Sequence, residues 1–92
     1  MKTERAVVLF GGRVQGVGFR YTCRSLAMGF SVTGCVKNLE DRCVELVVEG
    51  ERPEVEEFLK AIIEGYLKSF IRECAVEWYP ATGNWKDFRI AY

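Results

Sequence analysis

AVVLFGGRVQGVGFR, residues 6 to 20, decides how the chain is read. Its first five residues, Ala6 to Phe10, are apolar throughout, as in a buried strand covered on at least one face. The next ten, Gly11 to Arg20, include four glycines, and a helical pattern follows, so the segment is a strand-to-helix turn. Glycine lets a backbone take positive φ or come close to a ligand. The helix opens with no Ser, Thr, Asp or Asn to cap it, and it carries Arg20 in its first turn. A cation there is disfavoured by about 0.3 to 1 kcal/mol. An anion bound at the turn removes both oddities, because it accepts from the free N–H groups and pairs with the guanidinium. The alternative is a loop that leaves Arg20 in solvent, and the turn alone keeps both readings open.

Outward from the turn, Phe19, Cys23, Leu26, Ala27 and Phe30 fall on one helical face, which ends near Gly29 as a C-terminal glycine. Ser31 to Lys37 and Cys43 to Glu49 are strand-like, and residues 38 to 42 between them have the length of a hairpin loop. Pro53 suits the first position of a second helix, whose face of Val55, Phe58, Leu59, Ile62, Ile63 and Tyr66 reads as core. Phe70, Cys74, Val76 and Trp78 broadly alternate with Glu73, Ala75 and Glu77 in a strand that stops at Pro80. Phe88, Ile90 and Tyr92 make a short closing strand after a polar turn at 81 to 84. The order β-α-β-β-α-β plus a short C-terminal strand predicts an α+β fold, a ferredoxin-like (split β-α-β) sandwich. Two helices then cover one face of a mostly antiparallel sheet.

The 92 residues form one expected domain, 1 to 92, of ordinary globular composition, 49% hydrophobic and 28% charged. The net charge is zero, which gives no support to generic nucleic-acid or membrane-surface binding. The charges are nevertheless divided. From Arg5 to Leu39 there are five basic residues and no acidic one, a net of +5; Glu40 to Tyr92 holds twelve acidic and seven basic, a net of −5. A positive first part that contains the glycine turn favours a small anionic ligand. No targeting, transmembrane or lipidation motif is visible, so a cytoplasmic protein is expected. Cys23, Cys35, Cys43 and Cys74 form no CxxC pair, so no metal site is expected and buried thiols are the default, with a disulfide between neighbouring strands as the alternative.

The chain has no histidine, so His-based acid–base and triad chemistry are unavailable. No cysteine precedes an arginine at the C-x5-R spacing, and neither a P-loop nor GxGxxG is matched. What remains is a cationic, N–H-rich turn, able to hold a phosphoryl group and stabilise its charge. Such a site cannot protonate a poor leaving group, so a catalytic version needs an activated substrate. A carboxylate leaving from a mixed carboxylic–phosphoric anhydride fits, with water as nucleophile. Asn38, at the start of the hairpin loop, is the candidate to hold that water, since an amide does so without titrating. Starting a turn is its other reading.

At these motifs the chain resembles the acylphosphatase family. Gly12 to Arg20, GRVQGVGFR, is similar to that family's phosphate-cradle signature without a break, and GCVKN (34 to 38) with VELVVEG (44 to 50) is similar to its second. The resemblance runs on through Val76 to Trp78 and the closing FRIAY, nearly the whole chain. It implies hydrolysis of small acyl phosphates to carboxylate and inorganic phosphate, with no cofactor and no metal. The family's substrate-binding arginine maps onto Arg20 and its water-positioning asparagine onto Asn38. Its phosphate-cradling amides map onto Gln15, Gly16, Val17, Gly18, Phe19 and Arg20. The substrate's own phosphate is thought to act as base in the family. Arg42 departs from the pattern, since the family usually has glycine at that left-handed position, and Cys43 after it is also atypical. A monomer acting on a small molecule, with no nucleic-acid or membrane partner, is expected.

Two other classes compete. A non-catalytic anion-binding or regulatory acylphosphatase-like module has the same turn and would bind phosphate without turnover. RNA-binding RRM domains share the topology, but the third strand here, Cys43 to Glu49, has no aromatic residue and the K/R-G-F/Y pattern is absent.

Overall fold

A computed structural model describes residues 2–92. Strand β1 (Thr3–Gly12) leads through the glycine turn into helix α1 (Phe19–Ala27), followed by the hairpin of β2 (Thr33–Asn38) and β3 (Val44–Glu51). Helix α2 (Arg52–Glu64), a 3₁₀ turn (Tyr66–Phe70), β4 (Ile71–Pro80) and β5 (Phe88–Ile90) complete the chain. The sheet order is β4-β1-β3-β2-β5, antiparallel throughout except for β5, which runs parallel to β2. This is the expected ferredoxin-like arrangement, and the closing strand extends the sheet at the β2 edge.

Strand alternation builds the core. Ala6, Val8 and Phe10 of β1, Val36 of β2 and Val44, Leu46 and Val48 of β3 turn to one face and are fully buried. Phe19, Cys23 and Ala27 of α1 and Val55, Phe58, Leu59 and Ile62 of α2 join them in a single cluster, so both helices lie on that face. The apolar run Ala6 to Phe10 is covered on this side alone: Leu9 is 41% exposed on the other.

Several expectations are corrected at the margins. Helix α2 stops at Glu64, so Tyr66 lies in the 3₁₀ turn with 70% of its surface exposed, and the neighbouring Leu67 fills the core instead. Cys74 and Val76 point to the helix side of β4 yet remain exposed, because β4 is an edge strand at the margin of the helix layer. Trp78 on that face is half-buried, with the Arg52 guanidinium stacked 3.7 Å from its ring centroid. Gly29 is not a left-handed helix terminator: α1 ends at Ala27, with Met28 as a right-handed C-cap. Tyr92 lies outside β5 and is exposed.

Candidate active site

The turn between β1 and α1 has the features of an anion site. Gly16 and Gly18 take φ of 78° and 77°, a region that disfavours every residue with a Cβ. A Cβ placed on either would meet nothing within 4 Å, so the surface above them is open. Gly18 is the N-cap of α1 and provides no side-chain cap. Among the described residues, the backbone N–H groups from Gln15 to Arg20 donate to no protein acceptor, whereas Arg13 N–H donates to Phe70 O at 2.9 Å. The side chains of Val17 and Phe19 turn inward: Phe19 packs at a tilt against Phe10 with ring centroids 5.0 Å apart, and Val17 packs on the core. The turn is thus anchored from below and presents backbone donors above.

Asn38 is brought to the same corner by register. Val44 of β3 pairs with Phe10 on one side and with Asn38 on the other. Two strand spacings, about 9.5 Å, separate Phe10 from Asn38, and their side chains lean to the same, helix-covered face. Because α1 is the crossover between β1 and β2, the carboxyl end of β1, the start of α1 and the end of β2 share one corner. Asn38 is exposed there, and its side chain makes no hydrogen bond among the described residues.

The two halves are joined by a contact that the sequence did not indicate. Gln15 Nε2 donates to Leu39 O and to Cys43 O, each at 2.9 Å, and so clamps the hairpin loop to the turn. Inside the loop, Leu39 N–H donates to Cys43 O (2.9 Å), Arg42 N–H to Leu39 O (3.2 Å) and Cys43 N–H to Asp41 Oδ1 (3.1 Å). Arg42 has φ 73°, the one positive value at a non-glycine residue among those described. The departure noted in the sequence is therefore real: arginine bears the left-handed conformation that glycine usually takes. Arg42 and residues 12 to 17 line a groove of about 430 Å³.

Arg20 is half-buried, and its guanidinium lies 5.0 Å from the ring centroid of Tyr92, a residue read only as part of a closing strand. The ion pairs of the described residues engage Lys37, Arg52 and Arg89, and none involves Arg13, Arg20 or Arg42. Three arginines around the turn are thus left without a carboxylate. All four cysteines are free thiols. Cys23 is buried on α1 and its thiol is pushed up to about 12 by loss of hydration, so it is no nucleophile. Among the described residues no group of three or more Cys, Asp or Glu could hold a metal ion, and no helix is long and apolar enough to cross a membrane.

Known proteins resemble this chain along its length. The acylphosphatase family model matches residues 6–90. An acylphosphatase of Clostridium acetobutylicum is 40% identical over 89 residues, covering 97% of this chain and 98% of that one. One of Syntrophotalea carbinolica is 40% identical over 92 residues, 100% of both chains. The crystal structure of acylphosphatase from Bacillus subtilis superposes with a TM-score of 0.88 at 31% identity, over 97% of this chain and 99% of that one. Matched from strand β1 to strand β5 and along whole relatives, the chain belongs to the acylphosphatase family of hydrolases.

Proposed function

We propose that the Gln15 to Arg20 turn holds the phosphoryl group of a small acyl phosphate while Asn38 positions the water that attacks it. The observation that carries this reading is the row of N–H groups from Gln15 to Arg20, unengaged among the described residues, beside a guanidinium that has no carboxylate partner among them. The Gln15 side chain is spent on the hairpin, so its contribution to the ligand is its backbone N–H. Phe19 and Val17 likewise contribute backbone alone. Arg20 offers a planar fork to two phosphoryl oxygens.

In the reaction, the water oxygen forms a bond to phosphorus as the bond from phosphorus to the acyl oxygen breaks, and that electron pair leaves on the carboxylate. The water proton passes to a phosphoryl oxygen. No side chain titrates, which suits a corner without histidine or activated thiol, and no metal is required. A carboxylate needs no proton to depart, so the protein's share is positioning and charge stabilisation. All of these groups come from one chain, which supports a monomer, and four free thiols support a reducing, cytoplasmic setting.

The test is phosphate release from benzoyl phosphate in the presence of EDTA. Wild type releases phosphate. Arg20→Ala loses at least about a hundredfold in kcat/KM while keeping its circular dichroism, the magnitude seen when an oxyanion donor is removed. Asn38→Ala loses kcat with less effect on binding of inorganic phosphate. No release by wild type overturns the hydrolase reading, and full activity in Arg20→Ala overturns the role of that residue.

A further inference from the structure

The groove beside the turn is lined by residues 12 to 17 and by Arg42, and its two charged members, Arg13 and Arg42, are both cationic. No carboxylate lines it, and neither arginine takes part in an ion pair among the described residues. It shares Gln15, Gly16 and Val17 with the wall that presents the free N–H groups. An acyl chain running from a phosphoryl group on that wall into the groove therefore passes Arg13 and Arg42.

Arg42 holds its place there against its own backbone. At φ 73° glycine is the easier residue, and strain of this kind persists where the surroundings fix it. The surroundings do fix it: the loop is closed by Arg42 N–H on Leu39 O and strapped to the turn by Gln15. We propose that Arg42 and Arg13 form a second anion subsite, which selects acyl phosphates whose acyl part itself carries a negative group, carboxylate or phosphate. This rests on the acyl phosphate reading above. Within it, Arg42 determines substrate choice, and the transferred phosphoryl group is left to Arg20 and the backbone.

The experiment compares kcat/KM for benzoyl phosphate, 4-carboxybenzoyl phosphate and 4-phosphonobenzoyl phosphate in wild type, Arg42→Gly, Arg42→Glu and Arg13→Ala. Glycine suits φ 73°, so Arg42→Gly keeps the loop. The ratio of an anionic substrate to benzoyl phosphate should fall about three- to tenfold in Arg42→Gly and in Arg13→Ala, and further in Arg42→Glu, as expected for one partly exposed charge-assisted contact. The effect should shrink as salt rises. A larger fall with the phosphono compound supports a phosphate-bearing acyl part, and a larger fall with the carboxy compound a dicarboxylic one. An unchanged ratio overturns the subsite, and so does an equal loss on all three substrates, which would place Arg42 on the transferred phosphoryl group. If wild type hydrolyses none of the three, the hydrolase reading fails and this inference with it.

Discussion

Gln15 Nε2 donates to the carbonyl of Cys43 at 2.9 Å and, through its second hydrogen, to that of Leu39 at the same distance. One side-chain amide thus holds the start and the end of the loop that follows Asn38, and it does so from the turn that carries the backbone donors. The clamp sets how far Asn38 stands from the phosphate site, so its loss should be felt in catalysis more than in anion binding. In Gln15→Leu, kcat should fall roughly tenfold or more while the affinity for inorganic phosphate changes less than about threefold. The two lost hydrogen bonds should lower unfolding free energy by about 1 to 3 kcal/mol in urea titrations. Equal losses in kcat and in phosphate affinity would show that Gln15 serves the turn and not the hairpin.

Arg42→Gly should stabilise the fold. Holding a residue with a Cβ in the left-handed region costs about 1 to 2 kcal/mol, and glycine returns part of that through the larger entropy of its unfolded chain, about 0.5 to 1 kcal/mol. The exposed side chain makes no ion pair among the described residues that would offset the change. A net gain of about 0.5 to 1 kcal/mol is expected, read as a higher urea midpoint at constant slope. A lower midpoint would mean that the arginine makes contacts that outweigh its backbone strain.

Tyr92→Ala tests what steadies Arg20. The ring is 94% exposed, so its burial contributes little, but it faces the Arg20 guanidinium across 5.0 Å. An exposed cation–π contact contributes about 0.5 to 1 kcal/mol. Its loss frees the guanidinium and should weaken phosphate binding about two- to fivefold by calorimetry, with a Tm shift below about 3 °C. Tyr92→Phe should keep wild-type affinity, since the interaction needs the ring and not the hydroxyl. If alanine and phenylalanine behave alike, the stack has no role in binding.

What could be read from residues alone was whatever is local or periodic. Ala6 to Phe10, the 3.6-residue stripes of α1 and α2 and the uncapped turn before Arg20 each report on their own neighbourhood, and all three hold. Element ends were misplaced locally, at Gly29, Tyr66 and Tyr92, and the larger failures are relations between distant segments. Cys74 and Val76 alternate as a strand facing a core should, but the sequence has no record that β4 sits at an edge. Gln15 looks like one more polar residue in a loop because its acceptors, 24 and 28 residues away, are backbone carbonyls that any residue would supply. Arg42 is the intermediate case: its unusual place in the hairpin was visible, while its position on the groove depends on the clamp.

The acid limb of stability should depend on Glu49. This residue stands on the open face of the central strand β3, opposite Arg5 of β1, and is buried under the segment that carries the chain from β4 across to β5. Its carboxylate accepts from Thr82 N–H (2.8 Å), Thr82 Oγ1 (2.7 Å) and Gly83 N–H (2.9 Å). Burial by itself would push the carboxyl up; the donors of Thr82 and Gly83, with the charge of Arg5, outweigh it and hold the group below its ordinary range. A carboxyl depressed by folding contributes stability that is complete above its unfolded pKa, about 4.3, and that is lost as pH falls through the folded value below it. In Glu49→Gln one of the three donors faces an amide N–H₂ in place of an acceptor, a loss of about 1 to 3 kcal/mol at pH 7. The gap between the two urea midpoints should therefore be constant from pH 7 to about 5 and should close below about 4. Because the same segment delivers β5 and then Tyr92 to Arg20, the variant should also show weaker phosphate binding at pH 7. Midpoint curves that stay parallel down to pH 3 would remove Glu49 as the anchor of that crossing.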